Sequence, residues 1–217
     1  HYPLRRQRQM CIRDRPWLIK AEKEFGIPFV IEVANEEHVK AALDAGISHV
    51  WIGARTTVNP FSVQEIADAL EGSNIPVFVK NPLNPDLQLW IGAIERLNAA
   101  GLEKLAAIHR GFSTYEKRAY RNSPNWEIPI ELKTQFPELE IIVDPSHIGG
   151  DRSVLKEISQ KALDLGFDGL MIETHPNPDE ALSDPKQQIF LHEFEAFISE
   201  LEEKQPHFKD RIAKNQV

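Results

Sequence analysis

The chain has 217 residues, 41% of them hydrophobic and 27% charged, a formal net charge of −8 and one cysteine. That length suits one large domain or two small ones with a substantial core, and the acidic balance argues against a nucleic-acid binder that works by neutralising phosphates. A single cysteine excludes an intramolecular disulfide framework and fits a reducing cytoplasm, and no apolar run reaches the ~18–20 residues of a membrane-spanning helix.

In chain order, residues 1–15 carry five arginines and the lone Cys11, with no strand-like stretch. Residues 10–14, MCIRD, are what the DNA string ATG TGT ATA AGA GAC encodes, a string resembling a sequencing-adapter end. Residues 1–15 are therefore expected to be a non-native, adapter-derived segment, set aside in fold reasoning. From Pro16 onward an alternation begins. PWLIKAEKEFG (16–26) predicts a helix, and PFVIEVA (28–34) a buried strand. The strand pattern recurs in HVWIGAR (49–55), PVFVKNP (76–82), LAAIHRG (105–111), EIIVDPSH (140–147) and GLMIETHP (169–176). These continuous, β-branched runs are the signature of strands covered on both faces of a parallel sheet.

The stretches between them read as helices: EEHVKAALDAG, VQEIADALEG, LQLWIGAIERLNAAG, IPIELKTQF and SVLKEISQKALDLG. Gly46, Gly101 and Gly166 stand where helices commonly stop. A last helix is expected over about 187–204, and residues 205–217 form a tail. Alternating strands and helices imply right-handed crossovers in a parallel sheet. The polar residues near the strand ends (Glu32, Arg55, Lys80, Arg110, His147, Glu173) are separated by 23, 25, 30, 37 and 26 residues, close to one βαβ repeat. A (β/α)8 barrel gathers such ends on one rim, and no G-x-G-x-x-G phosphate turn points to a doubly wound sheet. The expected fold is therefore an α/β TIM barrel, incomplete, with about six of eight units, over residues 16–204.

Three cations, Arg55, Lys80 and Arg110, recur at these ends. Buried cations need partners, so the trio points to an anionic ligand with phosphate and carboxylate groups; the alternative is that each pairs with a neighbouring acid such as Glu32. His147, Glu173 and Asp184 form a candidate ligand set for a divalent cation with open positions for substrate. Such a cation would polarise a carbonyl oxygen. Asp184 could instead simply start a helix. His109 and His175 also lie near the rim, so composition does not decide which imidazole is the ligand, and Asp144 could orient one.

The phrases WIGARTTVNPF, VKNP, HRGFS, DPSHIGG and ETHPNPDEALSDPKQQ, in this order, resemble the 3-deoxy-7-phosphoheptulonate (DAHP) synthases of the type I-beta branch, from about Pro16 to Phe190. The resemblance implies a transferase that condenses phosphoenolpyruvate with erythrose 4-phosphate, the first step of the shikimate pathway toward chorismate and the aromatic amino acids. It implies that Arg55 and Arg110 bind the phosphate of phosphoenolpyruvate, that Lys80 contacts its carboxylate end, and that Lys80 and His147 are catalytic. It further implies metal ligands His147, Glu173 and Asp184 for a divalent ion of the Mn, Fe, Co or Zn type, and a cytoplasmic homo-oligomer without nucleic-acid or membrane partners. The family's two preceding strands, with Gly-Pro-Cys-Ser and Lys-Pro-Arg motifs, are not found here. Only four residues separate Cys11 from Pro16, so Cys11 is not the family's metal-ligating cysteine. The first two strands are expected to be missing, leaving a fragment of poor stability and no activity of its own. Residues 205–217 are either a frayed tail or the start of a linker to a chorismate mutase domain. Two rival readings remain open: a KDO 8-phosphate synthase-like enzyme using arabinose 5-phosphate, and a non-catalytic anion-binding barrel.

Overall fold

The structure, a computed structural model, describes residues 17–115 and 119–201. Cys11, the expected adapter-derived segment 1–15 and the tail 205–217 lie outside the described residues. Helix α1 runs through residues 17–25. The strands β1 (Val30–Val33), β2 (His49–Ile52), β3 (Val77–Lys80), β4 (Leu105–His109), β5 (Glu140–Val143) and β6 (Gly169–Leu170) follow chain order in a six-stranded sheet. Helices α2 (Glu36–Asp44), α3 (Ala54–Thr57), α4 (Pro60–Leu70), α5 (Leu87–Ala99), α6 (Glu127–Gln135), α7 (Pro145–Gly149) and α8 (Leu155–Asp164) alternate with them. A separate parallel pair, β7 (Thr174–His175) and β8 (Ile189–Phe190), precedes α9 (Phe194–Ser199). The parallel α/β alternation expected from the sequence is the one observed. No helix among the described residues is long and apolar enough to cross a membrane.

The chain divides into two compact units. The first holds residues up to Pro82 together with Asp86–Ala106. Here β1 pairs in parallel with β2, Ile31 opposite Val50, and β2 with β3, Val50 opposite Val77. The inward residues Val33, Val50, Ile52, Val77 and Val79 are fully buried, as are Val63, Ile66, Ala67 and Leu70 on one stripe of α4. Helices α2, α4 and α5 start at side-chain caps. Asn35 accepts from the backbone N–H of His38, Asn59 from those of Phe61 and Ser62, and Asp86 from that of Leu89. These bonds satisfy donors that the first turn of a helix leaves orphaned. Trp90 on α5 is fully buried, and its indole Nε1–H donates to the carbonyl of Val79 at 3.1 Å. That bond locks α5 onto β3 and satisfies the ring's only donor.

The second unit holds Leu83–Pro85 and the chain from Ala107. β5 pairs in parallel with β6 through Ile142–Gly169 and Val143–Leu170. Ile108, Phe112, Leu132, Ile141, Val143, Ile148 and Leu155 form its buried apolar core. The Asp168 carboxylate ties α6 to β5, accepting from Lys133 Nζ and from the backbone N–H of Ile141, both at 2.9 Å.

Three local expectations need correction. Residues 187–204 are not one helix: Ile189–Phe190 is strand β8, a 3-10 turn follows at Leu191–Glu193, and the helix proper is Phe194–Ser199. The apolar side chain of Ile189 is buried, and pairing with β7 outweighs the helical pattern of the polar neighbours. The strand expected over 140–147 stops at Val143, because Pro145 lacks an N–H for a ladder and opens α7 instead. The strand expected over 169–176 is split into β6 and β7, and Glu173 stands between them.

Candidate active site

In the first unit, Lys80 is the last residue of β3 and is 3% exposed. Its ammonium lies 4.1 Å from the centroid of the Trp51 ring on β2, a cation–π contact that tolerates a buried charge. Arg55 does not end a strand. It sits on α3, three residues beyond β2, and is exposed. An added Cβ at Gly53 would meet the Glu32 carboxylate, the mobile end of its side chain, which would have to swing aside.

The second unit assembles most of the remaining candidates around α7. Asp144, buried, caps that helix: its Oδ1 accepts from the backbone N–H of His147 at 3.0 Å. Its other oxygen, Oδ2, lies 2.8 Å from His147 Nδ1. One carboxylate therefore both starts the helix and stands beside the imidazole on its first turn. Glu173 approaches the same nitrogen, with Oε1 3.2 Å from Nδ1. Nδ1 is buried and neither contact is aligned as a hydrogen bond. The Glu173 backbone is fixed by its N–H donating to Ser146 Oγ at 2.9 Å. Burial pushes the Glu173 carboxyl above its usual range, opposed by the nearby His147 and reinforced by the Asp144 carboxylate.

Arg110 follows β4 directly and is 7% exposed. Its Nη1 donates to Asn122 Oδ1 at 3.0 Å, and Asn122 Nδ2 donates to the carbonyl of His147 at 2.6 Å. A path of two hydrogen bonds thus links the anion-binding candidate to the backbone that carries the imidazole. His109, one residue earlier, is sealed between Phe112 and Trp126, with ring centroids 5.7 and 5.4 Å away. Burial pulls its pKa down to about 3, so it is a neutral core residue. His175 is on β7, where its Nδ1 accepts from the backbone N–H of Asn177 at 3.0 Å, an ordinary turn contact. Of the three histidines near the strand ends, His147 is the one set against two carboxylates.

Asp184 is paired with a guanidinium. Its Oδ1 accepts from Arg121 Nη1 at 2.7 Å, and the same nitrogen donates to Gln187 Oε1 at 2.7 Å. Gln187, fully buried, donates its Nε2 to Glu173 Oε1 at 2.9 Å. Among the described residues no group of three or more His, Cys, Asp or Glu side chains is arranged to hold a metal ion. As arranged here, Asp184 serves a guanidinium, so the three-ligand set does not fit in this arrangement. Arg121, Asn122 and Gln187 escaped the sequence reading. Gln187 lies in the S-D-x-x-Q phrase and was open to suspicion; YRNSPNW around Arg121 and Asn122 carries no pattern that marks either residue.

The fold is that of a parallel α/β protein, part of a TIM-barrel-like architecture. It superposes on a truncated 3-deoxy-D-arabino-heptulosonate 7-phosphate synthase from Thermotoga maritima with a TM-score of 0.77 and 28% identity, over 87% of this chain and 70% of that one. The phospho-2-dehydro-3-deoxyheptonate aldolase of Thermotoga maritima is 31% identical over 85% of this chain and 53% of its own length. A 2-dehydro-3-deoxyphosphooctonate aldolase of Francisella tularensis subsp. mediasiatica is 39% identical over 90% of this chain and 86% of its own. The chain belongs to the DAHP synthetase I family, whose model matches residues 11–210. It spans about half the length of its Thermotoga relative.

Proposed function

We propose that the protein bearing this chain is a DAHP synthase, condensing phosphoenolpyruvate with erythrose 4-phosphate. C3 of phosphoenolpyruvate bonds to the aldehyde carbon, water adds at C2, the bond from C2 to the phosphate oxygen breaks, and inorganic phosphate leaves with the seven-carbon product. Both reactants are anions that repel each other in water, so cationic clamps supply the positioning. Arg55 and Arg110 are assigned to the phosphate of phosphoenolpyruvate, and Lys80 to its carboxylate end. Arg110 is suited to this: a guanidinium is a planar, permanently charged phosphate donor, and Asn122 already holds one of its nitrogens in place. His147 is the catalytic imidazole, oriented by Asp144. A divalent metal ion with ligands His147, Glu173 and Asp184 belongs to this reading and would need Asp184 to be free of Arg121.

The observation that carries the proposal is the meeting of His147 and Glu173, 3.2 Å apart, in a chain of this family. The Francisella relative favours one alternative, condensation with arabinose 5-phosphate. Both are tested on the full-length protein that bears this chain, by supplying phosphoenolpyruvate with each aldose phosphate in turn and measuring released phosphate and product mass. Turnover with erythrose 4-phosphate supports the proposal. Turnover with arabinose 5-phosphate alone transfers the protein to the eight-carbon reaction, and none with either aldose overturns both.

A further inference from the structure

Asn122 joins two candidates of the site through one side chain. Its Oδ1 accepts from Arg110 Nη1 at 3.0 Å, and its Nδ2 donates to the carbonyl of His147 at 2.6 Å. The two ends of this amide are not interchangeable. A guanidinium only donates and a backbone carbonyl only accepts, so a single orientation satisfies both. The residue is 4% exposed, and its place is built from two sides. On one, its backbone N–H donates to the carbonyl of Ile148 on α7 at 3.0 Å. On the other, the next residue, Ser123, bridges Phe112 in antiparallel fashion, with reciprocal N–H to carbonyl bonds of 2.7 and 2.8 Å. Gly111, at φ 76°, admits this close approach: an added Cβ would lie 3.0 Å from the Asn122 Cβ and 3.2 Å from its carbonyl oxygen. Arg110 Nη1 also donates to the carbonyl of Gly111 at 3.4 Å. Both hydrogens of that nitrogen have acceptors within the protein, so Nη1 serves to hold the guanidinium in place.

We propose that Asn122 is the positioning residue for Arg110: its uncharged amide fixes the guanidinium against α7 without setting a negative charge beside the phosphate of phosphoenolpyruvate. The inference rests on the assignment of Arg110 given under the proposed function and adds the group that aims it. A carboxylate would hold a guanidinium more strongly, through a charge-assisted pair. At this position it would also oppose an approaching anion, and it could not donate to the His147 carbonyl. An amide of the same size orients the cation and leaves the ligand unopposed. Asn122 touches no reacting atom in this reading and acts through Arg110.

The test measures phosphoenolpyruvate binding by calorimetry, and both KM values, on the full-length protein that bears this chain. Asn122→Ala is expected to weaken phosphoenolpyruvate binding about tenfold, the order of a buried hydrogen bond to a charged group, with the KM of the aldose phosphate unchanged. Asn122→Asp keeps an acceptor for Arg110 and is expected to bind phosphoenolpyruvate more weakly still, because of its charge. In an Arg110→Lys background the cation is a flexible point charge with no fork to aim, and Asn122→Ala is expected to lose most of its effect. Wild-type affinity in Asn122→Ala, equal losses in both backgrounds, a matching rise in the KM of the aldose phosphate, or an aspartate variant that binds as well as the alanine variant overturns the inference. Should one of the two variants fail to fold, the other, read in both backgrounds, decides. Wild-type protein that binds no phosphoenolpyruvate, or binds it undiminished in Arg110→Gln, overturns the assignment of Arg110 and this inference with it. A loss in Arg110→Gln without one in Asn122→Ala overturns the inference alone.

Discussion

His109 shows how much a single position differs between sequence and structure. Its place before Arg110 at a strand end makes it a ligand candidate, yet the rings of Phe112 and Trp126 exclude water from it. With a folded pKa near 3 and an unfolded value of about 6.5, the unfolded chain takes up the proton first as pH falls. Stability tied to this imidazole is intact above ~6.5 and is lost progressively down to about 3, at a slope approaching ~1.4 kcal/mol per pH unit. His109→Leu is expected to flatten the pH dependence of the denaturation free energy in that window, even if it lowers stability at neutral pH. An unchanged slope would show that His109 is not the titrating group. Asp144 admits a sharper dissection, because it performs two tasks with two oxygens. Asn caps helices about as well as Asp, so Asp144→Asn should leave the denaturation midpoint nearly unchanged. It removes the negative charge beside His147 and is expected to lower turnover about 10–100-fold, read as kcat in the condensation assay.

Elements owe their positions to a few anchoring groups. Helix α5 begins at the Asp86 cap and is held to β3 by the Trp90–Val79 bond. Asp86→Ala should cost about 0.5–2 kcal/mol, measured by chemical denaturation, with no change in substrate affinity. Trp90→Phe leaves the carbonyl of Val79 without its indole partner in a buried site and should cost about 1–3 kcal/mol. Helix α7 was harder to read. DPSHIGG follows an apolar strand and looks like its continuation, but Pro145 cannot donate to a neighbouring strand and Asp144 supplies a cap. Both signals were present in the residues; the apolar run that precedes them concealed them. Gly150, at φ 70°, ends the helix where only glycine is unstrained. Gly150→Ala should destabilise by more than ~1 kcal/mol, because the added methyl also meets the Arg121 stem.

At the scale of the whole molecule, the proposed reaction must bring two anions together. In the full-length protein, chelation by EDTA is expected to abolish phosphate release, and Mn2+ added back to restore it; full activity in chelator would remove the metal from the reading. The strand–helix alternation and the parallel sheet were legible in the sequence, because hydrophobic period and capping residues act over a few neighbours. Which charged groups touch was not. His147 and Glu173 are 26 residues apart and Arg121 and Asp184 are 63 apart, and no local preference encodes such meetings. Only the tertiary structure sorted three histidines into a core residue, a turn residue and one set against two carboxylates, and only it gave Asp184 a guanidinium partner. The physical reason is that ionisation and ligation depend on burial and on charges brought close by packing, which chain order alone leaves open.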